Sequence, residues 1–191
     1  MNEMMSLMNE TNTILKGRFK LTSGKCSEVY LEKFRLLEDP KILHQIGKLF
    51  YKELNSLSPD IILGAAVGGI LLSSVVAQQF GTKGIFAERV QGDMILKRDF
   101  DIKKNSKVLI VEDIVTTGGS IDELIEIVEN KNAICIGITC LVDRSENGLD
   151  NFKYPFFPLM KYPSITWAVS YTHLRAHETG RNLVCRLLLE K

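Results

Sequence analysis

The 191-residue chain holds three histidines, four cysteines, five prolines and one tryptophan, and each scarcity removes a class of protein. Cys26, Cys135, Cys140 and Cys185 form no C-x-x-C pair and share no metal-ligand spacing with the histidines, so zinc modules and disulfide frameworks fall away and free thiols are expected. Cys135 and Cys140 lie five apart on one expected strand, which places them on opposite faces. In His173-x-x-x-His177-Glu178 a metalloprotease would need glutamate directly after the first histidine, where Leu174 stands. The net charge is only +1, without the broad basic face of a nucleic-acid binder. Met1 to Met8 carries Glu3 instead of a basic run, and no apolar stretch after it resembles a signal or a membrane span. A cytoplasmic protein with neither a nucleic-acid nor a membrane partner is expected. The phosphate-cradling G-x-x-x-x-G-K-[ST] of nucleotide hydrolases is missing, as are internal repeats and low-complexity tracts.

What is present is a chain of single-domain length, 45% hydrophobic, in which strand and helix patterns alternate. Asp39-Pro40 reads as an N-cap followed by proline at the first helical position, and Ile42, Leu43, Ile46, Leu49, Phe50 and Leu54 recur at helical spacing up to about Asn55. Ile61-Ile62-Leu63 reads as a short buried strand leading into Gly64 to Gly69, then a helix through Phe80 stopped by Gly81. Residues 85–90, 108–111 and 133–142 are further strands, the last two apolar on both faces, as in a parallel sheet covered by helices on both sides. The expected fold is a doubly wound, mainly parallel α/β sheet with ligands at the carboxyl ends of its strands. Gly64-Ala65, Glu112-Asp113 and Asp143-Arg144 all fall at such ends.

The stretch Val108 to Ser120 carries the most chemistry, because an apolar strand delivers two adjacent carboxylates into a turn rich in hydroxyls and glycine. Ile121, Leu124, Ile125 and Val128 then share one helical face, and Ser120-x-x-Glu123 has the form of a capping box. A turn at a helix N-terminus offers unpaired N–H groups and the positive end of the helix dipole to a phosphate. Thr116, Thr117 and Ser120 add hydroxyl donors, while Glu112 and Asp113 suit a pair of sugar hydroxyls. An ordinary strand-loop-helix connection would use the same turn formers.

Three other segments are candidates. Gly64-x-x-x-Gly68-Gly69, with Glu88 about twenty residues on, invites a dinucleotide reading, but the first G-x-G is missing; close helix-strand packing could also explain the glycines. Between Val90 and Asp101 a hairpin is expected, with Gly92-Asp93 at its tip and Lys97-Arg98 on the returning arm, either functional or simply a solvated basic turn. Asp143-Arg144 ends a buried strand, where a guanidinium can bind an anion or make a surface salt bridge.

Glu112 to Ser120 resembles the phosphoribosyl-pyrophosphate (PRPP) loop of the type I phosphoribosyltransferases. Leu15 to Phe19 with Leu21 to Lys25, Gly64 to Ile70, Phe86 to Val90 and Cys140 to Arg144 follow in the family's order, and the set is similar to its orotate branch. The resemblance implies a homodimeric enzyme moving the 5-phosphoribosyl group from PRPP to orotate, with Mg2+ bound through PRPP and not by the protein directly. It assigns PRPP binding to Glu112, Asp113, Ile114, Val115, Thr116, Thr117, Gly118, Gly119 and Ser120, and to Ala66, Val67 and Gly68 through backbone N–H groups. It assigns orotate contacts to Thr116, Arg144, Lys25 and Tyr30. Catalytic roles go to Glu112 and Asp113 and, on a mobile loop shared across the dimer interface, to Arg89, Lys97 and Arg98. Two departures stand out: that loop lacks the family's histidine, and Thr22 stands where many relatives carry lysine. The implied organisation is a single domain over 1–168, with a hood over about 1–38 and a core over about 39–168, followed by a tail at 169–191 foreign to the family pattern. The rivals are a phosphoribosyltransferase for another base, such as a purine, and a PRPP-sensing regulator without catalysis.

Overall fold

In the computed structural model, which describes residues 3–20, 26–145, 152–162 and 166–167, the first element is a helix. Helix α1 (Glu3–Glu10) buries Met4, Leu7 and Met8 in the same cluster as Ile46, Phe50 and Leu54, so the methionine-rich start is part of the core. Methionine's unbranched chain suits such a gap-filling contact. Strands β1 (Ile14–Lys20) and β2 (Cys26–Leu31) form an antiparallel hairpin, followed by one turn of helix, α2 (Phe34–Leu37).

Helix α3 (Pro40–Leu54) begins as the sequence predicts: the Asp39 side chain accepts from the Lys41 amide at 2.8 Å, and Pro40 takes the first turn. The core then follows the expected alternation, through β3 (Ile61–Ala65), α4 (Gly68–Phe80), β4 (Lys83–Val90), β5 (Asp93–Leu96), β6 (Lys107–Val115), α5 (Gly119–Asn130) and β7 (Ile134–Asp143). Gly81, at φ 65°, ends α4 as expected. Strand β8 (Phe156–Lys161) adds an edge that the pattern did not suggest, because Pro158 sits at its centre. Proline is tolerated there since, among the described residues, β8 has a neighbour on one side only. The short β9 (Thr166–Trp167) returns to β2 and completes a small sheet of order β1-β2-β9.

The main sheet has the order β5-β4-β3-β6-β7-β8, parallel throughout except for β5. Ile62, Leu109, Val111 and Leu141 face the cluster shared with α3 and α4, while Ile61, Leu63, Ile110 and Ile138 face the cluster shared with α5. This period of two along double-sided strands makes the sheet doubly wound. The chain leaves β3 toward β4 and later returns to β3's other side as β6, so the winding reverses between β3 and β6. Ligands in open α/β sheets bind at such a switch point, outside the carboxyl ends of the strands.

Cys135 and Cys140 correct one expectation. Both lie in the α5-side cluster, because the β6–β7 register shifts between Val108 and Leu109: Cys135 pairs with Val108 while Gly137 pairs with Leu109. The extra residue, Ile136, restarts the alternation and brings both cysteines to one face. They are free thiols, and burial pushes both up in pKa, Cys135 to about 11. The tail at 169–191 lies outside the described residues.

Candidate active site

Strand β6 does not stop before the two acids; it carries them inside its last turn of pleat and ends at Val115. Glu112 and Asp113 are therefore held by ladder hydrogen bonds to β7, with Glu112 opposite Cys140 and Val115 opposite Asp143. They are 8% and 4% exposed, respectively. The Asp113 amide donates to Glu112 Oε1 at 2.9 Å, and the Ile114 amide donates to Asp113 Oδ1 at 2.6 Å. A carboxylate with so little water and a second acid beside it resists ionisation, and Glu112 is that group. Burial, reinforced by the charge of Asp113, pushes Glu112 up to about 7.

A consequence follows for stability. The unfolded chain has Glu112 at its ordinary 4.5 and the folded chain at about 7, so the folded state binds the proton more tightly. The stabilisation is complete below 4.5 and is lost as pH rises through about 7. Glu112→Gln removes this dependence. Melts at about pH 5 and about pH 8 are expected to show the wild type losing more stability than the variant, by on the order of 3 kcal/mol. Equal losses in both proteins would contradict it.

The turn after β6 exposes Thr116 and Thr117 and buries Gly118, which at φ 86° occupies the left-handed region as the N-cap of α5. The capping box does not form: Ser120 lies inside the helix and no side chain caps it, because Gly118 already makes the turn. The amides of Gly119 and Ser120 belong to the first turn and have no intrahelical acceptor. Glu123 reaches instead to Arg89 Nη2 at 2.5 Å.

On the other side of the switch point, the Gly64–Gly69 segment is a packing device and an approach device at once. A Cβ on Gly64 would lie 2.3 Å from the Gly69 carbonyl oxygen, so these glycines let α4 rest on β3 backbone to backbone. A Cβ on Gly68 would lie 1.8 Å from Asp113 Oδ2, so this loop touches the acid pair directly. The Ala66–Val67 peptide is cis, and Val67 is 67% exposed. The Ala66 amide is already engaged, donating to the Ala87 carbonyl at 2.8 Å. Of the three N–H groups predicted for a pyrophosphate, that of Ala66 is thus withdrawn.

Arg144 reaches the same edge: its amide donates to the Val115 carbonyl at 2.8 Å. Its side chain is 6% exposed, and Nε has no hydrogen-bond partner among the described residues. Burial lowers its pKa, the signature of a guanidinium stripped of water. Asp143 does not pair with it; Oδ1 accepts from the Ser145 amide and hydroxyl at 2.9 and 2.6 Å. The salt-bridge alternative thus lacks its obvious acid.

The hairpin is present, with β5 antiparallel to β4 and the bend at Gln91-Gly92. Arg89 donates to the Gly92 carbonyl within it and pairs with Glu123 of α5, tying the hairpin to the helix that follows the 116–118 turn. Lys97 and Arg98 lie exposed at the lower end of β5, and Arg98 pairs with Glu88 at 3.1 Å. The structure therefore brings Arg89, and not Lys97 or Arg98, to α5. Tyr30 stacks on Phe19 within the hood, ring centres 5.5 Å apart, and Lys25 lies outside the described residues. One site residue escaped the sequence reading: Lys33, just before α2, places Nζ 2.6 Å from Asp113 Oδ2. A lysine beside Phe34 in the hood carries no sequence signal of a partner so far along the chain.

A mainly parallel sheet brings glycine loop, acid pair and hydroxyl-rich turn to one switch point, and residues 35–175 match the family model of the phosphoribosyl transferase domain, which places the chain in that class of α/β proteins. Over 81% of its length the chain is 42% identical to the orotate phosphoribosyltransferase of Thermoanaerobacter sp. (strain X514), covering 80% of that protein. The orotate phosphoribosyltransferase structure from Aeropyrum pernix superposes with a TM-score of 0.71 at 23% identity, over 82% of this chain and 92% of that one. An adenine phosphoribosyltransferase from Thermoanaerobacter pseudethanolicus shares the fold more loosely, with a TM-score of 0.57 at 20% identity over 70% of this chain and 88% of that one. The chain belongs to the orotate phosphoribosyltransferase family. None of the helices among the described residues is long and apolar enough to cross a membrane.

Proposed function

We propose that this chain transfers the 5-phosphoribosyl group from PRPP to orotate, releasing pyrophosphate and forming orotidine 5′-monophosphate for pyrimidine synthesis, with residues 1–168 as the catalytic unit. The observation that carries it is the contact of Gly68 with Asp113, which joins the glycine loop and the acid pair at one edge. Phosphate sits at the turn 116–120, the ribose diol faces Glu112 and Asp113, and pyrophosphate lies against the amides of Val67 and Gly68. Ile114 and Val115 contribute backbone to the same wall. As the C1–O bond breaks, positive charge develops on the ribose ring beside the two carboxylates. Pyrophosphate takes the electrons of that bond, the orotate ring nitrogen bonds to C1, and the proton this nitrogen carried passes to the released pyrophosphate or to water. No side chain acts as nucleophile; positioning does the work.

Arg144 supports the choice of base. A buried guanidinium whose Nε–H has no partner among the described residues matches a planar carboxylate and ring carbonyls, as orotate offers and adenine does not. Thr116, on the same turn, is the second base contact, and Tyr30 and Lys25 belong to the hood above it. Arg89 is placed to draw the hairpin toward the pyrophosphate when the site closes. Mg2+ would be held through PRPP and not by the protein directly, and would neutralise the leaving pyrophosphate. The active unit is a homodimer in which hairpins carrying Lys97 and Arg98 reach the neighbouring subunit.

Orotate absorbance is expected to fall when PRPP and magnesium are added, with no product from adenine or hypoxanthine. Unchanged absorbance at high enzyme concentration would refute the proposal. Arg144→Ala is expected to raise KM for orotate by roughly 10- to 100-fold, the worth of a charged hydrogen bond, while KM for PRPP moves little. An equal rise for both substrates would place Arg144 elsewhere.

A further inference from the structure

We infer that Lys33 is a positioning residue of the PRPP site: its ammonium holds the Asp113 carboxylate in place beneath the Gly68 backbone and ties the hood to the diol-binding edge. This rests on the reading of Glu112 and Asp113 as acceptors for the ribose diol. Three contacts fix Asp113. Oδ1 accepts from the Ile114 amide at 2.6 Å, Oδ2 receives Lys33 Nζ at 2.6 Å, and the space beside Oδ2 toward α4 is closed by Gly68, where even a methyl carbon would lie 1.8 Å away. The carboxylate has little freedom left once the ammonium is in place, and both oxygens keep lone pairs for further donors.

The surroundings single out this lysine. The titratable groups around the acid pair are Cys140 and Asp143 of β7, Arg144 just beyond it, and Lys33 from the hood. Cys140 and Asp143 supply no positive charge, and among the described residues Lys33 is the one cation within ion-pairing distance of either acid. The other ion pairs described join half-exposed side chains, of the kind that contributes little. The Lys33 pair is different, with the acid side chain 6% exposed and the lysine 33% exposed. Without Lys33, two adjacent carboxylates share a nearly dry edge with no cation among the described residues within ion-pairing distance. Asp113 is then free to turn away, which weakens its hold on a diol.

The test compares wild type, Lys33→Met and Lys33→Arg. In Lys33→Met, KM for PRPP is expected to rise about tenfold, while KM for orotate stays within about twofold. The acid limb of kcat/KM for PRPP is expected to move to higher pH, since the charge of Lys33 holds the pKa of Glu112 down and its removal lets that pKa rise. Lys33→Arg, which keeps the charge, is expected to recover most of the loss. Calorimetric binding of ribose 5-phosphate provides a readout that needs neither orotate nor turnover. A wild type that binds ribose 5-phosphate but does not consume orotate would refute the proposed reaction and leave this inference to the binding data. A lower melting temperature in Lys33→Met with unchanged KM, acid limb and ribose 5-phosphate affinity would make Lys33 a mere brace and overturn the inference. Should Lys33→Met fail to fold, Lys33→Gln, uncharged but still a donor, decides by the same readouts.

Discussion

Asparagine in place of Asp113 is expected to lower kcat/KM for PRPP by roughly 100- to 1,000-fold, the cost of removing one preorganised electrostatic group at a reacting centre. The change is nearly isosteric, so the loss reports charge and hydrogen bonding rather than volume. Asparagine has one oxygen for the two partners: given to the Ile114 amide, it leaves an NH2 against Lys33, which is 2.6 Å from Oδ2 in the native chain. The ammonium is then left without its carboxylate, and the positive charge developing on ribose loses one of two nearby anions. Steady-state kinetics at saturating orotate, with melting temperature as a control for folding, checks the result. Activity within about threefold of wild type would mean that Asp113 faces no reacting sugar.

Gly64→Ala is expected to produce the largest loss of stability. The new methyl would sit 2.3 Å from the Gly69 carbonyl oxygen and 2.8 Å from its carbon. Both are backbone atoms at the start of α4, so no side chain can swing aside; the helix itself must lift from β3. Overpacking of this kind costs about 3 kcal/mol. For a chain of this size that corresponds to a fall of about 6–12 °C in melting temperature. Lifting α4 also carries Gly68 away from Asp113, so catalysis falls with stability. Gly119→Ala is the matching control, since a Cβ there meets nothing within 4 Å. Its stability is expected to stay within about 0.5 kcal/mol of wild type, and a similar loss at both positions would contradict the packing explanation.

Elements with strong local signals were legible in advance. The Asp39-Pro40 start of α3, the Gly81 stop of α4 and the hairpin around Gly92 all follow from backbone preferences of single residues, which act wherever the chain goes. Elements with weak or conflicting local signals were not. Helix α1 is a short run stabilised by the contacts of Met4, Leu7 and Met8 with α3, and β8 keeps its strand form despite Pro158 because it is an edge. The bulge at Ile136 leaves no mark in composition, yet it turns Cys135 to the same face as Cys140.

The same division runs through the candidate site. That Glu112-Asp113 leads into a hydroxyl and glycine turn, and that three motifs meet at the carboxyl ends of parallel strands, is determined by the order of residues, because period-two burial and loop chemistry are local. Which amides remain available, which arginine reaches α5, and which cation answers Asp113 were decided only by tertiary structure. Ala66 gives its N–H to Ala87, Glu123 leaves its cap for Arg89, and Lys33 crosses from the hood to Asp113. Hydrogen-bond donors and charges select partners by distance in space, and loops of many residues close at small extra entropic cost, so sequence separation carries almost no information about who meets whom.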